Sequence, residues 1–97
     1  MRMGRPKRTK RDICQKRVVE DLRNVYHAVV WDVADEGGEV LDLIVFWRGV
    51  CLPVEVKSPG GKLTKAQKRS IARLRAVGVE AIVAGTAEEV VEAWPDS

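Results

Sequence analysis

Residues 41–57 read Leu41-Asp42-Leu43-Ile44-Val45-Phe46-Trp47-Arg48-Gly49-Val50-Cys51-Leu52-Pro53-Val54-Glu55-Val56-Lys57. Two runs rich in β-branched and aromatic residues flank Arg48-Gly49, the pattern of a hairpin closed by a tight turn. The first strand is predicted over 39–46 and the second over 50–57. With Arg48 and Gly49 as a two-residue turn, Asp42 falls opposite Glu55. Counted from the turn, that pair is non-hydrogen-bonded, so its side chains approach to about 5 Å. Alternation puts Asp42, Glu55 and Lys57 on one face, with Ile44 and Phe46 beside them. Leu41, Leu43, Val45, Leu52, Val54 and Val56 make the other, apolar face. Arg48 is a poor residue for positive φ, so a bulged turn shifting the register by one residue stays open. Pro53 lacks a ladder donor, though its position need not donate to the first strand.

Two carboxylates at that separation repel by about 3 kcal/mol at an effective dielectric near 20. A cation between them removes that cost, and facing hard oxygen ligands suit Mg²⁺ or Mn²⁺. Lys57 adds a positive charge that can hold or activate a water near a metal-bound phosphate. The ordinary alternative is a surface hairpin with polar residues facing solvent.

Outward from the hairpin, residues 12 to about 27 have the period of a helix, with Cys14, Val18, Val19, Leu22, Val25 and Tyr26 on one arc. Asp12 is placed as its cap, with Gln15 three residues on. Residues 28–34 read as a strand, and Asp35-Glu36-Gly37-Gly38 as a turn. After Ser58-Pro59-Gly60-Gly61, a basic helix is predicted from Thr64 to about Val77, with Ala66, Ser70, Ile71, Leu74 and Val77 inward. Lys65, Lys68, Arg69, Arg73 and Arg75 face outward, Thr64 and Gln67 form a capping box, and Gly78 ends the helix. Residues 79–84 read as a strand, and Thr86 to Glu89 as a capping box opening a last short helix. The fold class is α/β in the order α-β-β-β-α-β-α: a mixed central sheet flanked by helices, with the last two strands parallel through a right-handed crossover.

The 97 residues suit one domain, here 12–97, preceded by a disordered basic arm at 1–11. The net charge of +3 is unevenly spread. Residues 1–11 carry six basic and no acidic residues, and 57–75 carry seven basic and none acidic. Such blocks suit a polyanion, with Arg5, Lys7, Arg8, Lys62, Lys65, Lys68 and Arg69 on DNA phosphates. Solvated lysines are the plain alternative. Gly4-Arg5-Pro6-Lys7 also resembles the core of an AT-hook. The two cysteines, Cys14 and Cys51, read as reduced thiols in a core, and one histidine leaves no zinc motif. No apolar run spans a membrane and no signal peptide is visible, which points to a cytoplasmic protein. Trp31, Trp47 and Trp94 with Phe46 are many rings for so small a core. Packing in the monomer, packing across a dimer and stacking on bases are all open to them.

Asp42 followed at Glu55-Val56-Lys57, with a helix before and a helix and strand after, resembles the PD-(D/E)XK nuclease pattern. Leu41-Asp42-Leu43-Ile44-Val45, Val54-Glu55-Val56-Lys57-Ser58-Pro59-Gly60-Gly61-Lys62-Leu63 and Thr64-Lys65-Ala66-Gln67 resemble the VRR-NUC family more closely. The likeness covers roughly residues 12–84. It implies a restriction-endonuclease-like fold and Mg²⁺ or Mn²⁺ held by Asp42, Glu55 and the main-chain carbonyl of Val56. It implies a structure-specific DNA endonuclease like the Holliday-junction resolvases of phages and bacteria, working as a homodimer on branched DNA. A flap- or end-directed nuclease and a non-catalytic basic DNA-binding module are the alternatives. Leu41 stands where the family has proline. The family's helical glutamate and glutamine fall to Asp12 and Gln15, with Glu20 as a solvent-facing alternative, and Gln67 is either a site residue or only a cap.

Overall fold

The computed structural model describes residues 10–34 and 41–95. The expected turn at 35–38, the start of the second predicted strand at 39–40, and Arg5, Lys7 and Arg8 with the AT-hook-like segment lie outside the described residues. So does the side chain of Asp12. The elements are α1 (Lys10–Asn24), β1 (Val29–Asp32), β2 (Leu43–Trp47), β3 (Val50–Val56), α2 (Lys65–Ala76), β4 (Ile82–Ala84) and α3 (Ala87–Ala93). They form a mixed α/β fold in the expected element order. The four-stranded sheet runs β1-β2-β3-β4, antiparallel through β3 and parallel between β3 and β4.

The hairpin keeps the two-residue register: Trp47 pairs with Val50 and Leu43 with Val54. Arg48 and Gly49 have φ of 51° and 76°, as a type I′ turn requires. The strain at Arg48 is partly offset by its guanidinium, 4.2 Å from the centre of the Trp47 ring. Pro53 sits opposite Ile44, in a pair that needs no donor toward β2, and pairing to β4 starts only at Val54.

One face of the sheet carries the main core. Leu43, Val45, Leu52, Val54 and Val56 pack there with Val18, Val19 and Leu22 of α1 and Ala87, Val90 and Trp94 at α3. Leu41 does not join them. It precedes the regular strand, so alternation does not reach it, and it packs on the other face with Ile71 and Ala81. Val25 is exposed because α1 stops at Asn24. His27, at φ 59°, then turns the chain toward β1, and the Ala28 N–H donates to the Leu22 carbonyl. Asp12 lies inside α1 rather than capping it, because the helix already begins at Lys10.

Helix α2 matches its expected bounds, with Thr64 as N-cap and Val77 as C-cap. Its inner stripe is Gln67, Ser70, Ile71 and Leu74, while Ala66 and Val77 are exposed. Ala66 lies off that stripe, and Val77 lies beyond the last helical residue. Val79 is still spent on the helix end, donating to the Leu74 carbonyl, so β4 starts later than expected. At α3 the capping box is half formed. Thr86 accepts from the Glu89 N–H, but Glu89 reaches back to the Gly85 N–H instead of Thr86.

Helix α2 covers only the β3–β4 end of its face. Among the described residues that face is left open over β1 and β2, with Val29 and Trp31 more than half exposed and Trp31 edge-on to Phe46. Cys51 is exposed there rather than in the core, because alternation turns it away from the α1 side. Among the described residues no helix is long and apolar enough to cross a membrane.

Candidate active site

The ladder between β2 and β3 ends just where the acidic residues begin. The Val54–Leu43 pair is the last regular one. One step on, the alternating pattern would have the Val56 N–H donate to the Leu41 carbonyl. It donates instead to the Asp42 carboxylate, Oδ2, at 2.9 Å. Asp42 keeps its own main chain in the sheet, since its carbonyl accepts from the Val33 N–H at 2.9 Å. Its side chain therefore takes the place of a strand, and it is 4% exposed.

Glu55 is 2% exposed, among the most buried large side chains of the protein. Its main chain serves the parallel ladder to β4, through the Glu55–Val83 pair, and the Lys57 N–H continues that ladder to the Ala84 carbonyl. By the same alternation the main-chain groups of Val56 point the other way, toward Asp42. The Val56 carbonyl is thus aimed at the side of the sheet where the Asp42 carboxylate lies.

Gln67 forms the expected cap and also reaches Glu55. Its Oε1 accepts from the Thr64 N–H at 2.8 Å, closing the capping box, and its Nε2 donates to Glu55 Oε2 at 2.9 Å. The cap fixes which way round the amide sits, so the donor end faces the carboxylate. The loop between them is Ser58-Pro59-Gly60-Gly61, a turn in which the Gly61 N–H donates to the Ser58 carbonyl. Gly60 has φ 74° and follows proline, the arrangement of a type II turn.

Lys57 follows directly on β3, and alternation returns it to the side of Glu55. It is half-buried at the edge of a 520 Å³ cleft shared with Ser58, Pro59, Val83, Gly85, Thr86 and Glu89. Lys62, Lys65, Lys68 and Arg69 are exposed along the start of α2 and the loop before it. Arg75, expected to face outward with them, is exposed but ties its guanidinium to the Ala81 carbonyl at 3.1 Å.

Gln15 is buried, but its Nε2 donates to Asp32 Oδ1 at 3.0 Å. Of the expected site residues, the hydrogen bonds thus join Asp42 to Val56 and Glu55 to Gln67. Gln15 is joined to an acid that sequence reasoning alone misses. A signal for Asp32 exists: it continues the alternation of the buried Ala28 and Val30, where an apolar residue is expected, although Asp32 itself is exposed. Glu20 is exposed, as expected.

Among the described residues no group of three or more histidine, cysteine, aspartate or glutamate side chains is arranged to hold a metal. The expected donors are the two buried carboxylates, with the Val56 carbonyl on the Asp42 side of β3 by strand alternation. That fits Mg²⁺, which is commonly held by one or two carboxylates and keeps several waters.

A search of curated proteins gives no match. A solved structure of a VRR-NUC domain is similar to this chain at 29% identity with a TM-score of 0.70, the match covering 91% of this chain and 100% of that one. The VRR-NUC domain profile matches residues 1–88. The chain therefore belongs to the VRR-NUC domain family, whose domains are of the nuclease type.

Proposed function

We propose that the protein is a Mg²⁺- or Mn²⁺-dependent DNA endonuclease specific for branched structures, on a restriction-endonuclease-like PD-(D/E)XK fold. The observation that supports it most is the pair of buried carboxylates, Asp42 held by the Val56 N–H and Glu55 by the Gln67 amide. Asp42, Glu55 and the Val56 carbonyl would hold the cation, and Asp12 is a further candidate from α1. The bound cation supplies Lewis acidity for hydrolysis of a phosphodiester by water. Lys57 holds the attacking water and offsets charge at the phosphate. Gln67 keeps Glu55 oriented, and Gln15 steadies the start of the site through Asp32. Lys62, Lys65, Lys68 and Arg69 bind flanking phosphates, joined by Arg5, Lys7 and Arg8.

The working unit is a homodimer, because symmetric cutting of a four-way junction needs two sites. The open apolar face around Val29, Trp31 and Phe46 is the surface offered to a second copy.

Cleavage of a four-way junction with Mg²⁺ or Mn²⁺, against a matched flap and linear duplex, tests the reading. Parent protein should cut the junction fastest, and Glu55→Gln should not cut. Equal cutting by Glu55→Gln would remove the assignment. Tight, salt-sensitive binding without cleavage would leave only a DNA-binding module.

A further inference from the structure

Three elements meet at Gly85, between the end of β4 and the cap of α3. Its N–H donates to Glu89 Oε1 at 2.7 Å, and its carbonyl accepts from the Cys14 thiol at 3.1 Å. The residue before it, Ala84, accepts the Lys57 N–H at 2.9 Å. A Cβ on Gly85 would stand 2.7 Å from the Lys57 carbonyl oxygen and 3.3 Å from Glu89 Oε1. The φ of Gly85 is ordinary, so glycine is required by this close approach and not by the backbone angle. The nearer of the two neighbours is main chain, which cannot swing aside as a side-chain tip could.

We propose that Gly85, fixed by Glu89, is a positioning element for Lys57: it sets where the main chain of Lys57 lies and hence where its ammonium stands. The inference rests on the role given to Lys57 above. Lys57 lies just past the last β3 residue, where the Ala84 carbonyl and the surface of Gly85 bound its main chain. Lys57 lines the same cleft as Gly85, Thr86 and Glu89. Holding Gly85 from α1 and α3 ties the lysine to the main core. Asp42 and Glu55 accept hydrogen bonds from other groups, the Val56 N–H and the Gln67 amide. Disturbing Gly85 should therefore move the lysine and spare the carboxylates.

The test compares Gly85→Ala, Glu89→Ala, Glu89→Gln and Lys57→Ala with the parent. It measures single-turnover junction cleavage, junction affinity, Mn²⁺ affinity by calorimetry and thermal unfolding. A methyl at position 85 must displace the Lys57 carbonyl by several tenths of an ångström. The cleavage rate should fall roughly 10- to 100-fold, with Mn²⁺ and junction affinities within about twofold of the parent. Glu89→Ala should lose rate in the same manner. Glu89→Gln, which still offers Oε1 to the Gly85 N–H, should recover most of it. Glu89→Ala carries the test if Gly85→Ala does not fold. Parental rates in both Gly85→Ala and Glu89→Ala, with Lys57→Ala inactive, would overturn the proposal alone. So would Mn²⁺ affinity falling in step with the rate, since the displacement would then have reached the metal ligands and not the lysine alone. A fully active Lys57→Ala would instead refute the catalytic role of the lysine, and this proposal with it.

Discussion

Gln67→Ala separates the two duties of one side chain. The substitution removes the acceptor for the Thr64 N–H and the donor to Glu55 Oε2. Removing the cap hydrogen bond costs about 1 kcal/mol. Removing a hydrogen bond to a buried carboxylate costs more, about 1.5–3 kcal/mol. Together they come to about 3 kcal/mol, a fall of roughly 12–24 °C in Tm for a domain of this size. Thr64→Ala breaks the other half of the same cap, the bond from the Gln67 N–H to Thr64 Oγ1 at 3.1 Å, and leaves Glu55 alone. It should cost about 1 kcal/mol. Thermal and urea unfolding of both variants, with and without Mn²⁺, gives the numbers. Without metal, Gln67→Ala should be the less stable of the two by about 2 kcal/mol. With saturating Mn²⁺ the gap should narrow, because a cation on Glu55 replaces part of what the amide supplied. Equal stabilities without metal would show that the Gln67–Glu55 bond contributes nothing. An unchanged gap with metal would argue against Glu55 as a ligand.

Replacing Lys65, Lys68 and Arg69 together by alanine should weaken junction binding and lower the slope of log affinity against log salt by about 0.9 for each phosphate no longer neutralised; an unchanged slope would take α2 off the DNA. Trp31→Lys should turn a particle of twice 10.8 kDa into one of 10.8 kDa by light scattering while the fold persists; a dimer that survives it does not use this face. Cys51 is exposed and should react with iodoacetamide well before Cys14. Burial first, and then the negative charge of Glu89, push the Cys14 thiol up, so at pH 8 less of it is the reactive thiolate. Mass spectrometry that finds Cys14 modified first would contradict that.

Most of the fold is legible in the sequence because local signals agree with one another. The hairpin register follows from the two-residue turn even with arginine in a left-handed position, since alternation of the buried strands punishes a one-residue slip. Helix α2 is legible at both ends because Thr64, Gln67 and Gly78 are residues with strong capping geometry. What fails is extrapolation of a period past the end of its element. Helical spacing puts Val25 and Val77 inward, yet each lies just beyond a helix end. Strand spacing puts Leu41 in the main core, but it sits before the strand. Asp12 has the chemistry of a cap, and the helix begins before it. The pair Gln15–Asp32 is illegible for a different reason. It joins α1 to β1, and no one-dimensional period relates positions on different elements.

The site itself lies where two of these effects meet. The ladder from β2 to β3 would continue past Leu43 if Leu41 stayed in the strand, but Leu41 is drawn to Ile71 and Ala81 under α2. Its departure removes a main-chain acceptor from Val56 at a buried position, where an unmet N–H would cost about 1–3 kcal/mol. The Asp42 carboxylate fills that role at 2.9 Å. A buried carboxylate and a main-chain carbonyl thus come to the same side of β3. Helix α2, which holds Leu41 through Ile71, also holds Glu55 through Gln67. The packing of one amphipathic helix thereby opens the sheet and orients one of the two acids. That is a physical reason for the run from Glu55 to Gln67 to lie so close in sequence to the strand it disrupts.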